Sequence, residues 1–343
     1  MTKTKKLAQS LKFFWFSGLL TILVAVFVGW QLGLVALWLF FILLILEVTF
    51  SFDNAVINSK VLSRLSPFWQ NLFLTVGIVF AVFVVRFILP ILIVMFSGDA
   101  SFNEVINMAL NEPDKYSHTL HDAAPLIDAF GGTFLIMIGI SYFMDLEKEI
   151  HWLEKTEKWL SKFGNYESFK ILVMLVVALV LYATVNEKFH VAVLLSSVIA
   201  VVIHIALDLF GQYFSKKQSQ AAKLVGGAAF ASFLYLNVLD ASFSLDGVIG
   251  AFAITNHIIL IMAGLGAGAL WVRSLTVYLT RTGTLGKYLY LEHGAHWAIL
   301  ALGIIMISKL YGIELSEWFT GLIGLVIIIA AFMSSLWDKK RTN

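Results

Sequence analysis

The sequence predicts an all-α polytopic membrane protein of about ten transmembrane helices, built around a three-helix inverted repeat. Three observations lead there. Of 343 residues, 59% are hydrophobic and only 13% charged, well outside soluble globular usage. Apolar runs of about twenty residues recur along the whole chain, the length a helix needs to cross a hydrocarbon layer of about 30 Å. An acidic pattern occurs twice, as Glu47-Val-Thr-Phe-Ser-Phe-Asp53-Asn54 and as Asp240-Ala-Ser-Phe-Ser-Leu-Asp246-Gly247. The apolar runs are continuous and lack the two-residue alternation of barrel strands. Cysteine is absent, which excludes a disulfide framework, a thiolate metal site and a cysteine nucleophile.

The segments follow in order. Lys3, Lys5, Lys6 and Lys12 precede an apolar run from Phe13 to Trp30 with no small-x-small cleavage site after it, so it reads as a retained first span. The next spans are Leu34–Phe52, Leu72–Phe96 and Ala124–Met144, then Phe169–Val185, Val191–Phe214 and Leu224–Leu245. Ile258–Thr280, Gly294–Leu310 and Trp318–Leu336 complete the set. Pro90 predicts a kink in the third span. Gly264-Leu-Gly-Ala-Gly268 contains Gly-x-x-x-Gly, which lets helices approach closely.

Loop charge orients these spans. With the amino terminus cytoplasmic, 18 lysines and arginines fall on cytoplasmic segments, Lys216 and Lys217 among them, and only Lys115 and Lys188 fall outside. That bias predicts a cell-membrane protein with both termini in the cytoplasm. The outer loop from Ser97 to Ala123 carries Asp99, Glu104, Glu112, Asp114, Asp122, His118 and His121. It is either a cation-gathering mouth or a solvated loop depleted of basic residues, the plainer reading. Asp145 to Ser168 mixes acids with lysines at helical spacing, which predicts an amphipathic surface helix.

The echo between the acidic patterns extends further. Gly77 and Val85-Arg86 follow the first, and Gly264 and Val272-Arg273 follow the second at the same interval. Asp128 precedes Gly139 by eleven residues, as Glu292 precedes Gly303. The units start on spans two and seven, which run in opposite directions, so the repeat is inverted, as in many secondary transporters. The chain divides accordingly into one membrane domain, 1–343. Its parts are a first unit (34–145), two connecting spans with the amphipathic segment (146–223), a second unit (224–310), and a last span and tail (311–343).

On an ideal helix Glu47, Ser51, Asn54 and Asn58 share a face, and Asp53 points about 120° away from Glu47. Convergence of both acids therefore requires a break near Ser51–Asn54, and Gly247 suits a matching break in the second copy. Each mid-membrane carboxylate costs about 2.5–3.5 kcal/mol on insertion scales and needs compensation. Arg86 and Arg273 against Glu47, Asp53, Asp240 and Asp246 leave a formal charge that one divalent cation would balance. The donors are all oxygen, which suits manganese(II), calcium or magnesium over copper or zinc. The expected ligands are Glu47, Asp53, Asn54, Asp240 and Asp246, supported by Ser51, Ser244, Arg86 and Arg273, with Asp128 and Glu292 nearby or interfacial. The plain alternative is that these buried acid–Arg pairs hold helices together. His204 and Asp208 read as a helix-packing pair, with a proton relay as the other reading, and His293 and His296 read as interfacial.

The two acidic patterns resemble those of the TerC family of integral membrane proteins, over about Leu34 to Leu310. The resemblance is closest to a longer branch, because Asp240 stands where that family usually has Glu and extra spans are present. TerC-like proteins include manganese exporters, and some members are linked to membrane-protein assembly. The resemblance implies that the acidic residues bind a transported cation, manganese(II) first, with Gly247 in place of an Asn making the second half-site one ligand poorer. The expected partners are the lipid bilayer and the ion as substrate, with no tightly bound cofactor, no nucleic acid and no catalytic residues. The sequence carries no G-x-x-x-x-G-K-[ST] and no H-E-x-x-H, so neither nucleotide-driven transport nor a zincin-type hydrolase is expected. Two other classes stay open: a non-transporting subunit for membrane-protein assembly or stress resistance, and a carboxylate-only metal hydrolase.

Overall fold

A stretch of 39 apolar residues is about 58 Å long as a straight helix, twice the thickness of a bilayer core. The chain resolves that mismatch inside its first helix. The computed structural model describes residues 3–98, 100–146, 148–165, 168–215, 223–283, 287–313 and 315–341. Asp99, Lys216 and Lys217 lie outside these. Helix α1 (Lys3–Phe50) is interrupted at Gly33, whose φ of 85° and ψ of 178° only glycine adopts readily. The chain doubles back there. A side chain at Gly29 would sit 3.5 Å from Leu37, residues about 12 Å apart in a straight helix.

Helix α2 (Phe52–Arg64) follows across a single non-helical residue, Ser51, at φ −100° and ψ 16°. The third span is α3 (Pro67–Val79), a π-helical stretch Phe80–Ile88, and α4 (Leu89–Gly98). The π-winding directly precedes Pro90, whose ring clashes with the fourth carbonyl back in a regular helix, so a change of winding answers the expected kink. Short helices α5 (Phe102–Asn111) and α6 (Pro113–Asp122) then lead into α7 (Ala124–Phe143). Next come α8 (Glu154–Ser161), α9 (Phe169–Thr184), α10 (His190–Ser215) and α11 (Gly226–Phe252). Helices α12 (Ile258–Thr282), α13 (Leu291–Lys309) and α14 (Glu317–Arg341) end the fold.

Among the described residues, eight helices are long and apolar enough to cross a membrane, nine with the bent pair Glu154–Gly164 and Phe169–Thr184 taken as one span. The first of the eight, Lys12–Phe50, comprises both arms of the Gly33 fold-back. With the arms taken separately, each of the ten expected spans has its helix. Side chains such as Leu172, Val176, Val191, Leu195, Val326 and Ile329 on the outer helices are exposed. Such an apolar perimeter suits lipid, not water. The chain is an all-α polytopic membrane protein.

Both arms of α1 grip α12. In the first arm, the Ser17 hydroxyl donates to the Leu270 carbonyl (3.0 Å) and Trp271 Nε1 donates to Thr21 Oγ1 (3.0 Å). In the second arm, Leu43 lies against Gly264 and Glu47 against Gly268, where an added Cβ would come within 2.5 Å of each. The Gly-x-x-x-Gly run is thus a close-packing surface, and Glu47 is seated near the middle of a 25-residue helix.

The segments that loop charge places on one side gather at one end. Lys60, Arg64, Asp145, Lys148, Glu149 and Glu292 line a single cavity of about 550 Å³ there. At the other end, Tyr116 packs on Phe252 (5.7 Å between ring centroids) and Asn256 donates to Asp114 (2.5 Å). The stretch expected to be a solvated loop therefore carries two packed helices, because Val105, Ala109, Tyr116 and Leu120 supply them with a buried face.

The amphipathic segment also departs from expectation. Helix α8 and its continuation turn 101° from α9, as a surface helix would, yet Glu157 on it is buried. Its carboxylate takes hydrogen bonds from His293 Nδ1 (2.8 Å), Trp297 Nε1 (2.9 Å) and the Trp152 amide (3.0 Å). Burial alone would raise its pKa; the His293 and Trp297 contacts outweigh that and hold it down to about 2. A depressed carboxylate stabilises docking above its unfolded pKa of about 4.3, and that contribution fades as pH falls towards 2. Hydrogen-exchange protection across 152–162, corrected for the intrinsic pH dependence of amide exchange, is expected to fall over that range in the wild type. In Glu157→Gln protection should be low at every pH, and an unchanged profile in the variant would refute the anchor.

Candidate cation site

The two acidic patterns meet face to face, in crossed register. Asn54 Nδ2 donates to Asp240 Oδ1 (2.9 Å). The equivalent contact by the repeat is Gly247 with Glu47, and a Cβ at Gly247 would stand 3.8 Å from Glu47 Oε2. The third helices repeat the relation. A Cβ at Gly132 would lie 2.9 Å from the Gly303 carbonyl, and one at Gly139, the partner of Gly303, would lie 3.6 Å from the carbonyl of His296, the partner of Gly132. Such paired contacts are what a two-fold relation between units produces.

Each arginine serves the first acid of its own unit. Arg86 Nη2 donates to Glu47 Oε1, which also accepts from Ser51 Oγ at 2.8 Å. Arg86 Nη1 is fixed on the Ala81 carbonyl (2.8 Å), within the π-helical turn. Arg273 lies 3.7 Å from Asp240 Oδ2, an ion pair too long for a hydrogen bond. It is held by the Gly77 carbonyl (2.9 Å) and lies over the Phe73 ring (3.7 Å).

The second acids differ. Lys309 Nζ donates to Asp246 Oδ1 at 2.6 Å. Asp53 accepts from the Asn54 amide (2.9 Å), and among the described residues no basic side chain pairs with it. Asp53 and Asp246 line one cavity of about 30 Å³, closed by Phe50, Ala298, Gly321 and Gly324. That volume holds about one water molecule or one bare cation. Three acceptors buried beside these acids, Asn54 Oδ1, Asp240 Oδ2 and Ser244 Oγ, lack donors among the described residues.

Three expectations need correction. The helix breaks at Ser51 but not in the second copy: α11 runs unbroken through Asp240 and Gly247. Gly247 lies within an unbroken helix and marks no break there, and a Cβ on it would make only ordinary contact with Glu47. The four carboxylates are divided into the Glu47/Asp240 level and the Asp53/Asp246 cavity, and among the described residues no group of three or more is placed to hold one ion. Glu47 and Asp53 stay apart across Ser51, Glu47 on Arg86 and Asp53 in the small cavity. Glu292, expected nearby or interfacial, lies apart from both levels, paired with Lys60 (2.5 Å) in the large cavity.

Asp128 is buried on α7, one turn before the Gly131–Gly132 crossing with α13. His204 and Asp208 do pack helices, though not with each other: His204 meets Ser141 (3.3 Å) and Asp208 meets Lys170 (3.8 Å). Sequence reasoning missed Lys309, which ends a span, and Glu157. At the mouth of the large cavity, burial pushes Lys148 down to about 7 against the pull of Glu292, Glu157 and Asp145.

The helix bundle and its charge-bearing centre define the class: a multi-pass α-helical membrane protein with buried charged side chains at its core. More particularly, the chain belongs to the family described as "Protein of unknown function (DUF475)", which it matches over residues 52–342. No curated protein and no solved structure matches the chain.

Proposed function

We propose that the protein is a transporter that exports a divalent cation, manganese(II) foremost, across the cell membrane with both termini in the cytoplasm. The observation that carries this is Asp53: a buried carboxylate with no basic partner among the described residues, which lines a cavity of ion size together with Asp246. A carboxylate in that position has to be neutralised by a proton or a bound cation. Asp53 and Asp246 supply the primary oxygens. Glu47, Asp240, Asn54, Ser51 and Ser244 form the adjoining level through which an ion passes or its charge is balanced. An oxygen-only donor set in a cysteine-free chain favours manganese(II), magnesium or calcium, and the TerC-like motifs favour the first. Rocking of the inverted halves about their crossed contacts would expose the cavity alternately, driven by protons or the membrane potential.

One observation favours the competing reading of a non-transporting assembly subunit: Glu47, Asp240 and Asp246 already have basic partners, as helix-locking ion pairs would. Metal content separates the two. Purified wild type is expected to retain about one manganese per chain, and the Asp53→Asn/Asp246→Asn double variant none. A metal-free wild type that co-purifies stoichiometrically with another membrane protein would decide for the assembly role.

A further inference from the structure

Lys309 breaks the symmetry of the site at the acid where an ion would bind. The repeat pairs Asp246 with Asp53, and both face the same cavity. The repeat also pairs Lys309 with Asp145, 164 residues earlier as for Glu292 and Asp128, so the first half carries an acid where the second has a base. Asp145 lines the large cavity at the Lys60 end, away from Asp53.

The three cations near the acids differ in side-chain type and burial. Arg86 and Arg273 are immobilised, each by a backbone carbonyl, and Arg273 also by the Phe73 ring. Their guanidinium groups are buried, with side chains 4% and 5% exposed. Lys309 is the last residue of α13, where the helix dipole favours a cation, and its side chain is 14% exposed. Beyond it the chain turns at Gly312 (φ 74°) through the exposed Tyr311 and Ile313. A compact ammonium on a flexible four-carbon stem can withdraw from Asp246 towards this exposed end, whereas a forked, pinned guanidinium cannot.

We propose that Lys309 is a tethered internal cation that occupies Asp246 when the site is empty and is displaced by the incoming divalent ion. The ammonium keeps its charge throughout and only changes place. Two consequences follow for the cycle, resting on the transport reading above. Competition by Lys309 lowers affinity enough for the ion to be released. Its return neutralises Asp246 so that the empty protein can reset, since an unpaired acid would oppose the passage of the site through a dry interface.

The test uses purified full-length protein with Mn²⁺ as the probe, in equilibrium titration and in proteoliposomes. Lys309→Gln should bind Mn²⁺ about tenfold or more tightly than wild type, while Lys309→Arg, which keeps the charge, stays within about threefold. Net Mn²⁺ flux by Lys309→Gln should fall at least about tenfold, while exchange of labelled for unlabelled Mn²⁺ continues at close to the wild-type rate. A merely structural lysine would lower both fluxes together. Unchanged or weaker binding by Lys309→Gln beside measurable wild-type binding overturns the inference and leaves the proposed function standing. Tightened binding by Lys309→Arg likewise overturns it, even where Lys309→Gln fails to fold. Absence of Mn²⁺ binding in all three proteins overturns the transport reading itself.

Discussion

Replacement of Asp53 by Asn is expected to reduce manganese flux by at least about 100-fold, the equivalent of roughly 3 kcal/mol in ion binding, without lowering stability. The two halves of that expectation come from the same geometry. Asn keeps the shape of the side chain and an oxygen to accept from the Asn54 amide, so the local hydrogen bond survives. What disappears is a charge that no basic residue among those described balances. Removing an unpaired buried charge relieves a desolvation cost, so the apparent melting temperature in detergent should hold or rise. Asp246→Asn should also lose flux, because it removes the second carboxylate that lines the cavity. Flux by Asp53→Asn at the wild-type level would end the assignment of this cavity as the ion site.

The membrane-spanning helices were legible because hydrophobic length is a local property. That Arg86 and Arg273 partner the acids was legible for a related reason: few buried cations were on offer, and each repeat supplied one at the same interval; which acid each takes was not. Positions at the edge of a pattern were not. Lys309 closes a span and has the composition of an interfacial anchor, yet a long side chain lets it reach 2.6 Å from Asp246. Glu157 sits among exposed charges on a short amphipathic helix, and only the folded position of His293 and Trp297, more than 130 residues away, makes it buried. Gly247 was ambiguous in principle, since glycine serves backbone breaks and close approach alike, and only the unbroken α11 rules out the break. The level to which an acid points depends on helix phase across Ser51, which spacing along an ideal wheel does not contain.

Arg86→Met should be the most destabilising single substitution at the centre, and Glu47→Gln in the same chain should rescue most of the loss. Arg86 and Glu47 are almost wholly buried, with side chains 4% and 3% exposed. Removal of the guanidinium leaves Glu47 charged, with Ser51 Oγ as a remaining donor and Gly268 packed close against it. Stranding one member of a buried pair costs about 3–5 kcal/mol, whereas replacing both with neutral side chains of similar volume is often neutral. The double variant should therefore melt near wild type, with an interaction energy of about 2–3 kcal/mol between the sites. Simple additivity would mean that the pair is not coupled. The contrast with Asp53 is the useful part. Neutralising Asp53 should leave a stable protein that moves no ion, whereas removing Arg86 alone should unsettle the fold itself. Neutralising both Arg86 and Glu47 restores the fold, and any manganese flux that remains then measures how far the inner acidic level takes part in conduction beyond locking the halves together.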